Sequence, residues 1–297
     1  MPSNNPSTIP PSINHPMSPE THPPPSPPPP YAPPNTAAIT RPGPSSVTYH
    51  IPTTASPTTA LKTTIHLPPN STWTSGLHWH NNSTEYLRLL QGSIFATLGP
   101  STKIYTATTA HAEAVIRVGP RVRHNWGRAD EYLKQRSRAE RMGLDPSTGE
   151  GEAGEEVVVE EWTAPASVAK PLFFWNLNGV VTRRSAGPAE LRAERVLRGL
   201  LGAYWIPFQL FVIFYALDNY PVLVGLEGRL AWLDGVESGV GREVEHCVEH
   251  VVTFGVLSLA SLVGRMFRVE AVREERTPVG LWEVWVREKD DGRKKDL

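Results

Sequence analysis

The chain has 297 residues, 29 basic against 30 acidic side chains, and 39% hydrophobic residues. That is enough apolar material for a real core, and the balanced charge gives no global attraction to nucleic acid. A single cysteine, Cys247, excludes an internal disulfide and fits a reducing, intracellular setting.

Thirty prolines are too many for a uniformly globular chain, and seventeen of them fall within residues 1 to 44. There "HPPPSPPPPYAPPN" has almost no apolar side chains to bury and few amide hydrogens to donate. Residues 1–46 are therefore expected to form a disordered arm with polyproline II character, a form that proline-recognising partners bind. The arm lacks the basic start and apolar run of a signal peptide.

From residue 47 the pattern changes. "SVTYHIPTT", "LKTTIHLPP", "EYLRLLQG", "SIFATLG", "AEAVIRVG" and "VVVEEWTAP" are short, β-branched or aromatic, roughly alternating, and bounded by Pro, Gly, Asn and Ser. They predict an antiparallel all-β domain over 47–165. Within it, "ADEYLKQRSRAERMG" reads as an exposed charged helix and "DPSTGEGEAGEE" as an acidic loop. Residues 166–297 have helical length and spacing in "LFFWNLNGVV", "PAELRAERVLRGLLGAYW" and "EHVVTFGVLSLASLVGRMF". The expected fold class is mainly β followed by an α-helical C-terminal region.

"GLHWHNNSTEYLRLLQG", residues 76–92, carries the chemistry. Residues two apart on a strand share a face, so His78 and His80 project together while Trp79 turns away. Asn81, Asn82 and Ser83 are turn formers that let the chain bring Glu85 back from the next strand, and Gly92 permits a tight turn after it. "RVGPRVRHNWG" supplies His124 near the end of another β-like stretch. Three imidazoles and a carboxylate suit a divalent transition metal with open positions, whereas a closed structural zinc would want thiolates. Cys247, far off in a helical segment, is expected to be a small buried residue. Trp79, Tyr86, Phe95 and Trp126 are assigned to core, and Arg88, Arg121 and Arg123 to the solvated face. No separate general base is evident beside the ligands.

The string His78, x, His80, four residues, Glu85, six residues, Gly92 resembles the first motif of the cupin superfamily. "GPRVRHNW" resembles the second, with a shorter proline-to-histidine spacing and a glycine ahead of Pro120. The resemblance covers roughly residues 60–165. It implies a small jelly-roll β-barrel in which His78, His80, Glu85 and His124 bind iron, manganese, zinc, nickel or copper. Cupins include dioxygenases, isomerases, decarboxylases and metal-free binding proteins, so the expected partner is a small-molecule substrate or ligand of unknown identity.

In the helical third, residues 199–217 carry no charge, close to the ~20 residues that span a bilayer, and 250–264 form a second apolar run. Arginines flank both runs on their outer sides, as the positive-inside rule asks of a hairpin with cytosolic ends. The sequence therefore allows a membrane anchor with a cytosolic barrel. Pro207 and Gln209 favour the alternatives of a soluble cytoplasmic chain, with these helices packed on the barrel or on a second copy in a homodimer.

Overall fold

The computed structural model describes residues 33–55, 61–107, 115–140, 154–182, 192–226 and 240–295. Eleven strands among them form two antiparallel sheets. One sheet has the order β1 (Thr36–Arg41), β2 (Val47–Pro52), β3 (Thr63–Leu67), β10 (Val157–Ala164), β5 (Thr84–Gln91) and β8 (Val115–Val118). The other runs β11 (Tyr220–Pro221), β4 (His78–Trp79), β9 (His124–Arg128), β6 (Ser93–Leu98) and β7 (Ser101–Thr106).

Alternation decides what each strand buries. On β5, Glu85, Leu87 and Leu89 are buried while Tyr86, Arg88 and Leu90 are only partly covered. Glu85 thus sits on the buried face of its strand, the face that carries Leu87 and Leu89 into the core. Gly92 links β5 to β6 at φ +77°, and a Cβ there would lie 2.6 Å from the Glu156 carbonyl oxygen, so the turn has room only for glycine.

Helix α1 (Ala129–Glu140) follows β9 as the charged segment predicted. Helix α2 (Ala169–Thr182) lays Leu172, Phe173 and Phe174 into the core. Helices α3 (Arg192–Leu201), α4 (Trp205–Ala216), α5 (Val240–Phe267) and α6 (Val279–Lys295) complete the described chain.

Three features depart from the sequence reading. Strand β1 lies inside the segment assigned to the disordered arm, paired with β2 from Thr36 opposite Pro52 to Arg41 opposite Val47; "RPGPSS" is the connection of a hairpin rather than more of the arm. Helix α6 was not singled out. Residues between the two apolar runs form β11, which pairs with β4, Tyr220 opposite Trp79 and Pro221 opposite His78. The helical third therefore completes a sheet of the barrel. Trp79, the residue between the two histidines, stacks on Tyr220 at 5.8 Å and faces His250 of α5 at 4.1 Å.

Candidate metal centre

His78, His80, Glu85 and His124 converge as the spacing predicted, with ligand atoms all within 4.8 Å of one another and every residue buried. Each owes its place to a local feature. His78 stands directly opposite His124 across β4 and β9, their ring centroids 4.1 Å apart. His80 leaves the end of β4, where its carbonyl accepts the Arg121 N–H at 2.6 Å, tying the two ligand-bearing segments together. Glu85 arrives from the facing sheet.

The ring orientations are fixed from behind. His78 Nδ1 lies 2.7 Å from the Gly76 carbonyl, His124 Nδ1 lies 2.9 Å from that of Val122, and His80 Nδ1 contacts that of Asp218. A carbonyl only accepts, so each Nδ1 carries the proton and donates it. In a neutral ring that leaves Nε2 with a lone pair. Yet Nε2 of His80 and of His124 lie 2.9 and 3.1 Å from the two oxygens of Glu85, so acceptors face acceptors. Protons or a cation must stand among them, and a divalent metal fits this donor set.

Electrostatics agree. Burial lowers the affinity of His78 for a proton, the neighbouring imidazoles lower it further, and its pKa falls well below the usual value. Burial also opposes charge on His124, but Glu85 beside it outweighs that and raises its pKa. Desolvation would push Glu85 up; Lys170 and His124 overcome it and hold the carboxyl well below its ordinary range.

Lys170 was missed by the sequence reading. It is a lone cation in the apolar helix α2, buried, and its Nζ bridges Glu85 and Glu161. Glu161 sits on the inward face of β10 opposite Leu87, diagonal to Glu85, whose own cross-strand partner is Thr163. Burial, with Glu85 nearby, raises Glu161 to about 7 despite Lys170. The expectation that no acid–base group stands beside the ligands is thus corrected. The signal in the sequence was period-two alternation of Glu161 with Val157 and Val159.

Asp218 was missed as well. Its carboxylate accepts the N–H of Asn81 at 2.8 Å, that of Asn82 at 3.1 Å and the hydroxyl of Ser83 at 2.9 Å, so the loop between His80 and Glu85 is pinned from the end of α4. Further corrections concern charges and the thiol. Arg123 is buried rather than solvated, because α5 covers that face and places Glu249 2.8 Å from its guanidinium. Arg121 is exposed as expected, and Arg88 lies on the outer face, 3.6 Å from Glu160. Cys247 is exposed on α5. Trp79, Phe95 and Trp126 are core residues, while Tyr86 is half-buried and stacked on Trp162.

A cavity of about 220 Å³ adjoins the centre, and His78, Glu161 and Lys170 are among the residues that line it. Its walls include Trp73, Phe173, Phe174 and Phe214, and Arg41 and Tyr49 also line it.

No protein-family model and no curated protein matches the sequence. Solved structures similar to part of the chain include the capsular polysaccharide assembling protein CapF of Staphylococcus aureus, at 14% identity and a TM-score of 0.28, over 43% of this chain and 28% of that one. The chain thus spans well under a third of that protein's length. Others are a cupin 2 conserved barrel domain protein of Rhodopseudomonas palustris (12% identity, TM-score 0.28, 44% of this chain and 74% of that one) and a predicted oxalate decarboxylase of Thermotoga maritima (14%, 0.29, 43% and 91%).

Proposed function

We propose that the chain is a metal-dependent oxidoreductase of dioxygenase type, acting on a small organic molecule held in the cavity beside the metal centre. The observation that carries this reading is the juxtaposition of four buried ligands with a cavity that reaches one of them, His78, together with Lys170 and Glu161. A bound iron, manganese, copper, nickel or zinc ion would act there as Lewis acid or oxygen binder. The protein's part is to keep the three Nε2 atoms and Glu85 aimed at one point and to exclude water. Glu161, poised near neutrality on the cavity wall, suits the transfer of a proton to or from the bound molecule.

The test is anaerobic reconstitution with each metal in turn, followed by metal-to-chain ratio and oxygen uptake with a panel of small organic molecules. Stoichiometric metal that His80→Ala abolishes, with oxygen consumed in step with substrate, is the expected result. Metal and ligand binding without turnover would make the barrel a binding module instead. Failure to bind any metal would end the reading.

A second reading concerns where the chain works. By length and composition, 192–216 and 243–267 are apolar enough to cross a membrane, and only 17% and 28% of their most apolar windows are buried. Val244, Val248, Val251, Leu259, Leu262 and Met266 are exposed and recur along one side of α5, with exposed Arg265 and Arg268 at its end. We infer attachment of an intracellular barrel to a membrane surface along this flank, since the β11 connection is already held on the barrel. Co-flotation with phosphatidylcholine–phosphatidylserine vesicles, lost on replacing Val251, Leu259 and Met266 by serine, is the expected outcome. A detergent-free monodisperse monomer that ignores vesicles would overturn it, as would a dimer that those serines dissociate.

A further inference from the structure

Arg41 and Tyr49, both in the lining of the cavity, say what kind of molecule it takes. Arg41 of β1 donates through Nη2 to the Tyr49 hydroxyl, and its guanidinium carbon lies 5.1 Å from the centre of the Tyr49 ring. Trp73 Nε1 donates to the same hydroxyl at 2.9 Å. With both acceptor sites of that oxygen used, its own proton remains to be given, and no protein acceptor takes it among the described residues. Arg41 Nε is buried without a hydrogen-bond partner, and no carboxylate of the described residues pairs with the guanidinium. Two donors, one of them cationic, therefore lack an acceptor on one wall. Buried donors left in that condition are destabilising, charged ones most of all, and a ligand oxygen fills that gap.

Aromatic and apolar side chains, Trp73, Leu77, Phe173, Phe174, Leu177 and Phe214, share the lining with the polar Thr74, Ser75 and Asn219, and Trp73 and Phe174 lie against the Tyr49 ring, with centroids 6.2 and 5.3 Å away. A cavity of roughly 150 Å³ lined by apolar side chains takes a benzene ring. The 220 Å³ here accommodates one ring with small substituents. Charge points the same way. Lys170 and Arg41 offset Glu85 and Glu161, so a divalent ion would bring positive charge that no side chain on the cavity balances. Arg41, Trp73 and Thr74 also line a second, wider groove, so the same residues border both spaces.

We propose that the cavity binds a single-ring aromatic carboxylate, its carboxylate held by Arg41 and the Tyr49 hydroxyl, its ring against Trp73 and Phe174, and its far edge toward His78. The inference rests on the metal-dependent reading above for what happens at that edge, but the anion site itself does not require turnover. Arg41 and Tyr49 are specificity-determining residues in this scheme: they select the ligand and take no part in the reaction.

Three probes test it on the full chain with and without metal: benzoate, its neutral isostere benzamide, and acetate, which has the charge but no ring. Binding is read by calorimetry and by quenching of tryptophan fluorescence. Benzoate should bind at least tenfold more tightly than either other probe. Arg41→Gln should remove the preference for benzoate over benzamide and leave the metal-to-chain ratio unchanged; Arg41→Lys should retain part of it, keeping the charge but losing the planar fork. Tyr49→Phe should weaken benzoate several-fold and benzamide, whose neutral carbonyl is the poorer acceptor, by less, and it decides the matter if the Arg41 variants do not fold. Equal affinity for benzoate and benzamide, or stronger binding of acetate, overturns the proposal even if the metal centre is active. Benzoate selectivity in a protein that takes up metal but consumes no oxygen would instead overturn the catalytic reading and leave this one intact.

Discussion

Two groups of buried histidines occupy the same barrel. His50 of β2 and His66 of β3, in the six-stranded sheet, are 4% and 3% exposed with ring centroids 4.9 Å apart. His78, His80 and His124 are 5%, 3% and 2% exposed, so depth does not separate the groups. What separates them is the partner. Glu85, wholly buried, faces the three imidazoles, whereas the acid nearest His66 is Glu156, 3.3 Å away with its side chain 37% exposed. A buried carboxylate is costly unless cations or donors converge on it, so its presence among histidines marks a site, while burial of histidine alone marks packing.

The largest test of that contrast is metal content. Replacing His80 by alanine or Glu85 by glutamine should take a stoichiometric metal to none, measured by elemental analysis, while His50→Ala and His66→Ala should leave it unchanged. Metal retained by Glu85→Gln would show that the carboxylate is no ligand.

Next in size is the cation behind the carboxylates. Lys170→Met leaves Glu85 and Glu161 buried side by side without their shared partner, and breaking a buried pair in this way costs about 3–5 kcal/mol. Chemical denaturation of the metal-free protein should show that loss, and added metal should restore part of it by binding the native state. A smaller effect belongs to Asp218. Its removal frees the Asn81–Ser83 loop and loosens the carbonyl that orients His80, so Asp218→Ala should weaken metal binding roughly tenfold, the lower end of what supporting residues contribute. An unchanged dissociation constant would mean that the loop holds His80 unaided.

The same contrast explains what was legible beforehand. Three of the four clustered side chains could be read because the rule involved is local: period two puts His78 and His80 on one face, a turn follows, and Glu85 begins the next strand, whereas His124, 39 residues beyond Glu85, was reached through the likeness of "GPRVRHNW" to a second motif. Lys170, Glu161 and Asp218 act across the fold, 85 residues from Glu85 in the case of Lys170 and 138 from His80 in that of Asp218. No local pattern pairs them. Arg41 was hidden for a different reason: "TAAITR" adjoins a proline-rich run whose composition masks a short edge strand. Deletion of residues 1–32 should therefore leave the melting temperature unchanged, since that stretch offers little apolar surface to bury, while deletion of 1–44 removes β1 with it and should lower stability and benzoate binding together. Arg123 was misjudged because alternation says which face a side chain takes, not what covers that face.

The smallest effect is a pH dependence confined to the pair whose neighbouring carboxylate is solvent-exposed. Burial lowers the pKa of His50, and the proximity of His66 lowers it further. An unfolded histidine titrates near 6.5, so between that value and the lower one of the folded state the unfolded chain binds a proton that the native chain refuses. Stability is then complete above pH 6.5 and falls as the pH drops, by at most about 1.4 kcal/mol per pH unit for one such group. Replacing His50 by glutamine, which cannot take up a proton, should flatten this part of the acid limb in metal-free protein without touching metal affinity. If the limb keeps its slope in that variant, the acid sensitivity comes from the metal ligands themselves, and the two groups of histidines would not be as distinct in their charge as they are in their partners.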